Sequence, residues 1–343
     1  MKLGIIGLPG SGKTTVFEAL TRSEPDPSRK GESRIGTIRV PDERVDILSD
    51  MYHPKKTIYA QVEYFLPGKL GQKEKGREQS IWTQARDCDA LIHVVRNFGG
   101  YGLPDPNPAG DVTALDQELI ISDLVVVEKR LERIELDRKR GKTVNPEELA
   151  LLKECLKHLE EEIPLRKFPE IADAHPLRGF AFLSAKPMLI LFNNDDDNDS
   201  FPATGDLTER NQCLVMRGKL ENELAQMSDE EADIFLEEFS ISESAMDRVI
   251  KQSYQLQGLI SFFTVGEDEV RAWTIKKGTA ALDAAEVIHS DIKKGFIRAE
   301  VLFYEDLINA GTYAEARKKG TVRLEGKTYE VKDGDIVHFR FNV

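Results

Sequence analysis

The chain has 343 residues, 40% apolar and 31% charged, with a formal net charge of −13, a make-up that fits a globular protein of two or three domains and excludes fibrous, collagen-like and wholly disordered chains. No run approaches the roughly 20 apolar residues of a membrane-spanning helix, and glycines and a lysine interrupt the N-terminus where a signal peptide would continue, so a cytoplasmic protein with no membrane partner is expected. The acidity is local: residues 190–270 carry 19 acidic and 5 basic side chains, whereas 271–343 carry 11 acidic and 13 basic ones, so the C-terminal part can approach a polyanion.

Residues 2–7, KLGIIG, read as a short buried strand, and the glycine-rich turn after them leads into the apolar-periodic helix Thr14 to Thr21. Residues 22–60 hold short apolar runs among Pro, Ser, Arg and Lys; they read as a long mobile connection, then the helix Asp42 to Met51 and a turn at His53-Pro54. QVEYFL (61–66) and DALIHVVR (89–96) are two further core strands separated by a loop and a helix, the alternation of a parallel, doubly wound α/β sheet. From Asp116 to Ile163 the period changes. Leu124, Val127, Leu131 and Ile134, then Leu149, Leu152, Leu156, Leu159 and Ile163, recur at steps of three and four around the basic tip DRKRGKTVNP, which predicts an antiparallel helical hairpin packed as a coiled coil. KPMLILFNN (186–194) resumes the sheet. Residues 261–343 turn to short runs such as FFTVG, VRAWTI, TVRLEG, KTYEV and DIVHFRFNV, a separate small α+β domain. The expected domains are therefore 1–115 with 165–260, the insertion 116–164, and 261–343.

Gly7-Leu8-Pro9-Gly10-Ser11-Gly12-Lys13-Thr14 matches GxxxxGK[ST] in full between a predicted strand and a predicted helix. In such a P-loop the glycines let successive N–H groups turn toward phosphate oxygens, the helix N-terminus adds partial positive charge, the lysine bridges the outer phosphates and the Thr14 hydroxyl holds Mg²⁺. Gly10, Ser11, Gly12, Lys13, Thr14 and Thr15 are the expected phosphate-binding residues. An Asp at the end of a neighbouring strand would complete the metal site; that position is Leu66, or Phe65 in the other register, and Glu63 is the nearest acid. Mg²⁺ is then weakly held or differently coordinated, and no residue is assigned as catalytic.

Asn193-Asn194-Asp195-Asp196 occupies the place of the base-reading NKxD loop, in which the Asp accepts from N1–H and the 2-amino group of guanine. Asn193 and Asp196 are expected on the base, with Met216 to Gly218 against its other edge; an acidic turn that reads nothing is the competing interpretation. Ser184-Ala185-Lys186 precedes Asn193 and is discounted as a strand-entry turn. His93, in an apolar strand, reads as a satisfied core histidine, and Trp82 and Trp273 as core or interface anchors. Lys276-Lys277, Lys293 to Arg298 and Arg317-Lys318-Lys319 are candidate phosphate contacts or plain solvated charge. Cys88, Cys155 and Cys213 are far apart with no CxxC pair, which predicts neutral thiols with no disulfide partner and no zinc site.

These residues resemble the YchF/Obg-like ATPase family over essentially the whole chain. The most specific segments are EVRAWTI (269–275), HSDIKKGFIRAE (289–300), EDLI (305–308) and YEVKDGDIVHFRFNV (329–343), with VPDERVDIL (40–48), DALIHVVR (89–96) and KPMLILFNNDD (186–196) also similar. The resemblance implies a P-loop domain of the translation-factor GTPase class with an inserted hairpin and a C-terminal TGS domain of ubiquitin-like β-grasp type. It also implies nucleoside-triphosphatase activity with ATP preferred to GTP, and association with the ribosome or structured RNA, here as a monomer. Three departures touch hydrolysis: Leu66 stands for the DxxG Asp, the switch I Thr aligns near Ile35, and no His occurs in the loop Asn97 to Asp111. Asp196 in place of the family's Glu shifts the base loop toward the G-protein form, so either ATP or GTP remains the ligand. The alternatives are a small-molecule kinase, against which no arginine-rich lid is present, and a non-hydrolysing RNA-binding or scaffold protein.

Overall fold

Short apolar runs and capped helices alternate along the first two thirds of the chain in the computed structural model, which describes residues 2–29, 31–68, 81–100, 102, 104–238 and 244–342. In order these are β1 (Lys2–Ile6), α1 (Lys13–Thr21), β2 (Arg34–Arg39), α2 (Glu43–Tyr52), β3 (Lys56–Ile58), β4 (Gln61–Leu66), α3 (Ile81–Ala85), β5 (Ala90–Asn97), α4 (Pro108–Lys139), α5 (Pro146–Glu160), β6 (Met188–Asn194) and β7 (Gln212–Met216). Then come β8 (Leu259–Thr264), β9 (Glu269–Lys276), β10 (Phe296–Phe303), β11 (Arg323–Glu325) and β12 (Asp335–Phe341). The chain divides into two compact units, Met1–Thr37 with Glu63–Val249, and Ile38–Val62 with Ile250–Val343.

The first unit is built on a sheet of order β2-β4-β1-β5-β6-β7. β1 pairs in parallel with β4 (Leu3↔Tyr64) and β5 (Ile5↔Ile92), β5 with β6 (Val94↔Leu191), and β6 with β7 (Phe192↔Val215). Leu91 and Val95 of β5 pack with Leu115, Leu119 and Val112 of α4. Ile92 and Val94, which alternation turns to the opposite face, are also fully buried, so the sheet is covered on both sides as a doubly wound fold requires.

The hairpin follows from its apolar period and its caps. Asn107 and Asn145 accept N–H bonds from the first turns of α4 and α5, each with Pro at the helix start, and Arg138 and Lys139 lie in the last turn of α4, where they oppose its dipole. Val127 and Ile134 meet Leu152, Cys155 and Leu159, with Leu124, Leu131, Leu149 and Leu156 beside them, each fully buried aliphatic contributing about 1.5–3 kcal/mol. At its base Asp123, fully buried, accepts from Arg86 Nη1 (2.9 Å) and from the N–H groups of Leu183 (3.0 Å) and Ser184 (2.7 Å). Lys186 Nζ caps the carbonyls of Arg86 and Cys88. Ser184-Ala185-Lys186 is thus a turn that locks hairpin to sheet.

The second unit has a sheet of order β11-β10-β12-β8-β9-β3, antiparallel in the pairs β10–β11, β10–β12 and β8–β9 and parallel in β12–β8 and β3–β9. Phe262, Ile275, Phe296, Ala299, Val301 and Val337 of this sheet share a core with Ala281, Ala284 and Ala285 of the helix Ala281–Ile288.

Three expectations change. Residues 22–60 carry two strands, β2 and β3, too short and too polar to stand out; and residues 38–62, grouped above with the N-terminal part, fold with the C-terminal sheet. KTYEV is a turn with a single bridge, Ala280↔Glu330, while the missing strand is β10, which follows the basic helix Ser290–Lys294. All three thiols are held neutral, burial pushing Cys88 and Cys213 up to about 11 and Cys155 to about 12.

Candidate nucleotide-binding site

β1 delivers Gly7–Thr14 to the C-terminal edge of the parallel sheet, beside both β4 and β5, the edge at which ligands bind in open α/β folds. Ser11 N–H bonds Leu8 O (3.3 Å), Gly12 takes a left-handed φ of 89° at the start of α1, and Val16 N–H returns to Gly12 O (3.0 Å). Lys13 Nζ lies over the loop, donating to the carbonyls of Gly7 (2.9 Å) and Leu8 (2.8 Å). Thr14 is exposed and Thr15 half-buried; Ser11 is 2% exposed, with its hydroxyl unpartnered among the described residues.

Asn193, the penultimate residue of β6, is buried and uses both ends of its amide. Its Nδ2 donates to Ser11 O (3.1 Å) and its Oδ1 accepts from Gly218 N–H (3.0 Å), which ties the phosphate loop to the turn after β7. This close approach dictates two glycines: a Cβ on Gly12 would lie 2.2 Å from Asn193 Nδ2, and one on Gly218 would lie 2.4 Å from Asn193 Oδ1. Asp196 Oδ1 accepts from Leu220 N–H (3.2 Å) and its Oδ2 is 3.5 Å from Lys219 Nζ. Asn193 and Asp196 together therefore satisfy N–H groups at the start of the helix Gly218–Leu224, which has no cap of its own. Met216 is fully buried at the end of β7, so its side chain belongs to the core.

Sequence reasoning did not find the neighbouring contacts. Asn97 Nδ2 donates to Asn194 Oδ1 (2.8 Å), Asn194 Nδ2 to the carbonyls of Asn198 and Ser200, and Gly99 N–H to Asp195 Oδ2 (3.1 Å). Asn194, where the NKxD lysine would stand, is thus a buried loop organiser. Its only sequence signal is being amidic at the end of an apolar strand.

The metal half of the site fits poorly. Thr14 supplies an exposed hydroxyl, but Leu66, at the end of β4, is an apolar side chain 7% exposed, and Phe65 is 6% exposed. Glu63 cannot replace them, since its register partner is Lys2, at the start of β1 and the opposite end from the phosphate loop. Residues Glu74 to Glu78 lie outside the described residues. Among the described residues no group of three or more His, Cys, Asp or Glu side chains is placed to hold a metal ion. Ile35 is 58% exposed on β2.

His93 is fully buried, as expected, but it is not satisfied: neither ring nitrogen has a partner among the described residues, and burial, with Arg166 and Lys13 nearby, lowers its pKa to about 3. Trp82 and Trp273 are half-buried against their cores, and Trp273 Nε1 donates to Thr264 Oγ1. Three of the C-terminal basic candidates already face acids: Lys293 pairs with Asp283 and Glu286, Lys294 with Asp291, and Lys318 with Glu315.

Residues 259–342 match the family described as YchF-GTPase_C, a protein of unknown function. The chain is 37% identical to a protein named ribosome-binding ATPase YchF from Bacillus subtilis, covering 99% of each. It is 35% identical to one of the same name from Escherichia coli O157:H7, covering 100% of this chain and 99% of the relative. Among solved structures it resembles the Schizosaccharomyces pombe YchF GTPase, with a TM-score of 0.83 and 29% identity over 99% of this chain and 97% of that one. A GTP binding protein from Pyrococcus horikoshii, at TM-score 0.61 and 19% identity with both chains fully covered, shares the fold.

Proposed function

This chain belongs to the YchF family, and we propose that it binds a purine nucleoside triphosphate, ATP in preference to GTP, turns it over slowly or not at all, and acts at the ribosome in the cytoplasm. The observation that carries the reading is the phosphate loop itself. Gly10 to Thr15 form a left-handed turn running into a helix N-terminus, with a lysine whose carbonyl partners in the loop, Gly7 and Leu8, are exchanged for phosphate oxygens on binding. Mg²⁺, when bound, supplies charge neutralisation between the outer phosphates; Thr14 is the residue of this chain that would hold it. The apolar end of β4 offers no carboxylate to the ion's water shell, which supports weak metal retention and low turnover. Binding without turnover is the second reading, favoured by the same Leu66.

Adenine preference is supported by the state of Asp196. Guanine presents two adjacent donors to a carboxylate, but one oxygen of Asp196 is engaged by Leu220 N–H and the other lies near Lys219. Asn193 acts indirectly, by fixing the loop against Gly218, and Met216 through its backbone alone. The ribosome enters because the relatives carry it in their names; the hairpin and the TGS-like second unit are the proposed contacts.

The test is titration of the purified chain with ATP, GTP, ADP and GDP, with and without Mg²⁺, followed by a turnover assay and repeated on Lys13→Ala. A charge-assisted contact is worth about 1.5–3 kcal/mol, so Lys13→Ala should lose roughly 10-fold or more in triphosphate affinity while still unfolding cooperatively. Equal affinity in the variant would remove the phosphate-loop assignment, and a GTP preference would reverse the base assignment.

A further inference from the structure

On one side of the phosphate-loop strand, both its neighbour β4 and the edge strand β2 beyond it leave the nucleotide unit without a loop. β2 runs from Arg34 to Arg39 and passes from the first unit to the second between Thr37 and Ile38; β4 runs from Gln61 to Leu66 and passes back between Val62 and Glu63. An extended strand is a short, stiff connector, so a displacement of its one end is delivered to the other instead of being absorbed by a flexible turn.

What lies between the two crossings is anchored firmly in the second unit. Val45 and Leu48 of α2 are fully buried. The Arg44 guanidinium is shared between Asp42 (2.8 Å) and Asp333 (2.8 Å) and stacks over Phe263 at 5.1 Å, while Asp333 also accepts the N–H of Ser261 in β8 (2.9 Å). β3 adds a parallel edge strand to β9 through Lys56↔Glu269, Thr57↔Val270 and Ile58↔Arg271, and Lys55 N–H donates to Glu267 O (3.0 Å). The 38–62 segment is therefore integral to the C-terminal sheet although it is inserted between two strands of the nucleotide sheet.

In nucleotide switches, the terminal phosphate orders segments near the site and releases them on hydrolysis. Here the strand β4, bonded directly to β1, ends at the phosphate-loop edge with Leu66, and its other end enters the second unit. From this connectivity we infer that the 38–62 segment is a conformational link through which the terminal phosphate at the P-loop biases the second unit, read as a change in the stability of the β3–β9 pairing. The inference rests on the nucleotide-binding reading above. By linkage the effect is reciprocal: loosening the anchor must change affinity for the triphosphate relative to the diphosphate.

Hydrogen exchange on the full-length chain tests it, with Mg²⁺ present and with no nucleotide, ADP, or a non-hydrolysable ATP analogue. The amides of β3 and β9 should exchange at rates that differ by about fivefold or more between the analogue and ADP, and Arg44→Ala should change the analogue-to-ADP affinity ratio by a similar factor. Asp333→Asn, at a half-exposed partner, gives the same measurement if Arg44→Ala does not fold. Protection of the phosphate-loop amides by both nucleotides, with β3 and β9 unmoved or with the affinity ratio unchanged in both variants, would overturn the link and leave nucleotide binding standing. Phosphate-loop amides indifferent to every nucleotide would overturn the binding reading and the link together.

Discussion

Asp196 performs a structural task whether or not it meets a base. Its Oδ1 satisfies Leu220 N–H at a helix start where Asn193 takes only the N–H of Gly218, a contact worth about 1 kcal/mol. Asp196→Asn keeps an acceptor for that N–H and loses the second one, so it should leave stability unchanged and alter the ratio of ATP to GTP affinity. Asp196→Ala should lose about 1 kcal/mol as well. Isothermal titration beside chemical denaturation separates the two, and an unchanged ratio in both variants would remove Asp196 from base selection. His93 gives a pH prediction. It titrates near 6.5 when unfolded and near 3 when folded, so between those values the unfolded chain binds the extra proton. Its contribution to stability is full above about pH 6.5 and is lost progressively toward pH 3, at up to about 1.4 kcal/mol per unit. His93→Leu should flatten the pH 4–6 part of the denaturation profile. Because both nitrogens are unpartnered among the described residues, the variant should be at least as stable as the parent at pH 7.

Among the elements, β4 is where the chain departs most from a complete metal site. Leu66 occupies the strand end in a largely buried setting, so a carboxylate there pays desolvation unless a cation meets it. Leu66→Asp should therefore lower stability by a few kcal/mol in the apo state and recover it in Mg²⁺ with ATP, while the Mg²⁺ dependence of ATP affinity becomes steeper. Melting curves across Mg²⁺ concentration measure both; a Leu66→Asp curve indifferent to Mg²⁺ would place the metal elsewhere. Strict Mg²⁺ dependence and brisk turnover in the parent would have the same meaning. The hairpin lies at the other extreme of legibility. Its apolar steps of three and four name the side chains that meet in its core, because a helix face is a local property of a few turns. β2 and β3 were not legible: six and three residues, mostly polar, become strands only because sheet edges wait for them.

Across the whole molecule, charge decides which surface meets a polyanion. The acidic balance of 190–270 disfavours that stretch, and their pairing with acids diminishes Lys293, Lys294 and Lys318 as phosphate contacts. Arg138, Lys139 and Arg140 remain exposed at the hairpin tip. Neutralising all three to Gln should weaken association with ribosomes or structured RNA and lower the slope of log affinity against log salt by about 2 to 3, whereas Lys293→Gln with Lys294→Gln should change the slope little. Sedimentation with ribosomes at several salt concentrations measures this, and a slope untouched by the tip variant would direct attention to another face.

The phosphate loop, the parallel α/β core, the hairpin and a C-terminal β-rich unit were all determined by the amino-acid sequence alone, because each rests on contacts between near neighbours or on a period of apolar residues. The absence of an acid at the end of β4 was equally visible, since strand and register are local there. Tertiary structure alone decided three things: that Asn193 staples the loop to Gly218, that Asp196 is engaged at Leu220, and that 38–62 belongs to the C-terminal sheet. Asn193 lies 182 positions from Ser11 and Arg44 lies 289 from Asp333. At such separations the partner is chosen by how sheets and loops pack, and neither composition nor periodicity carries that information.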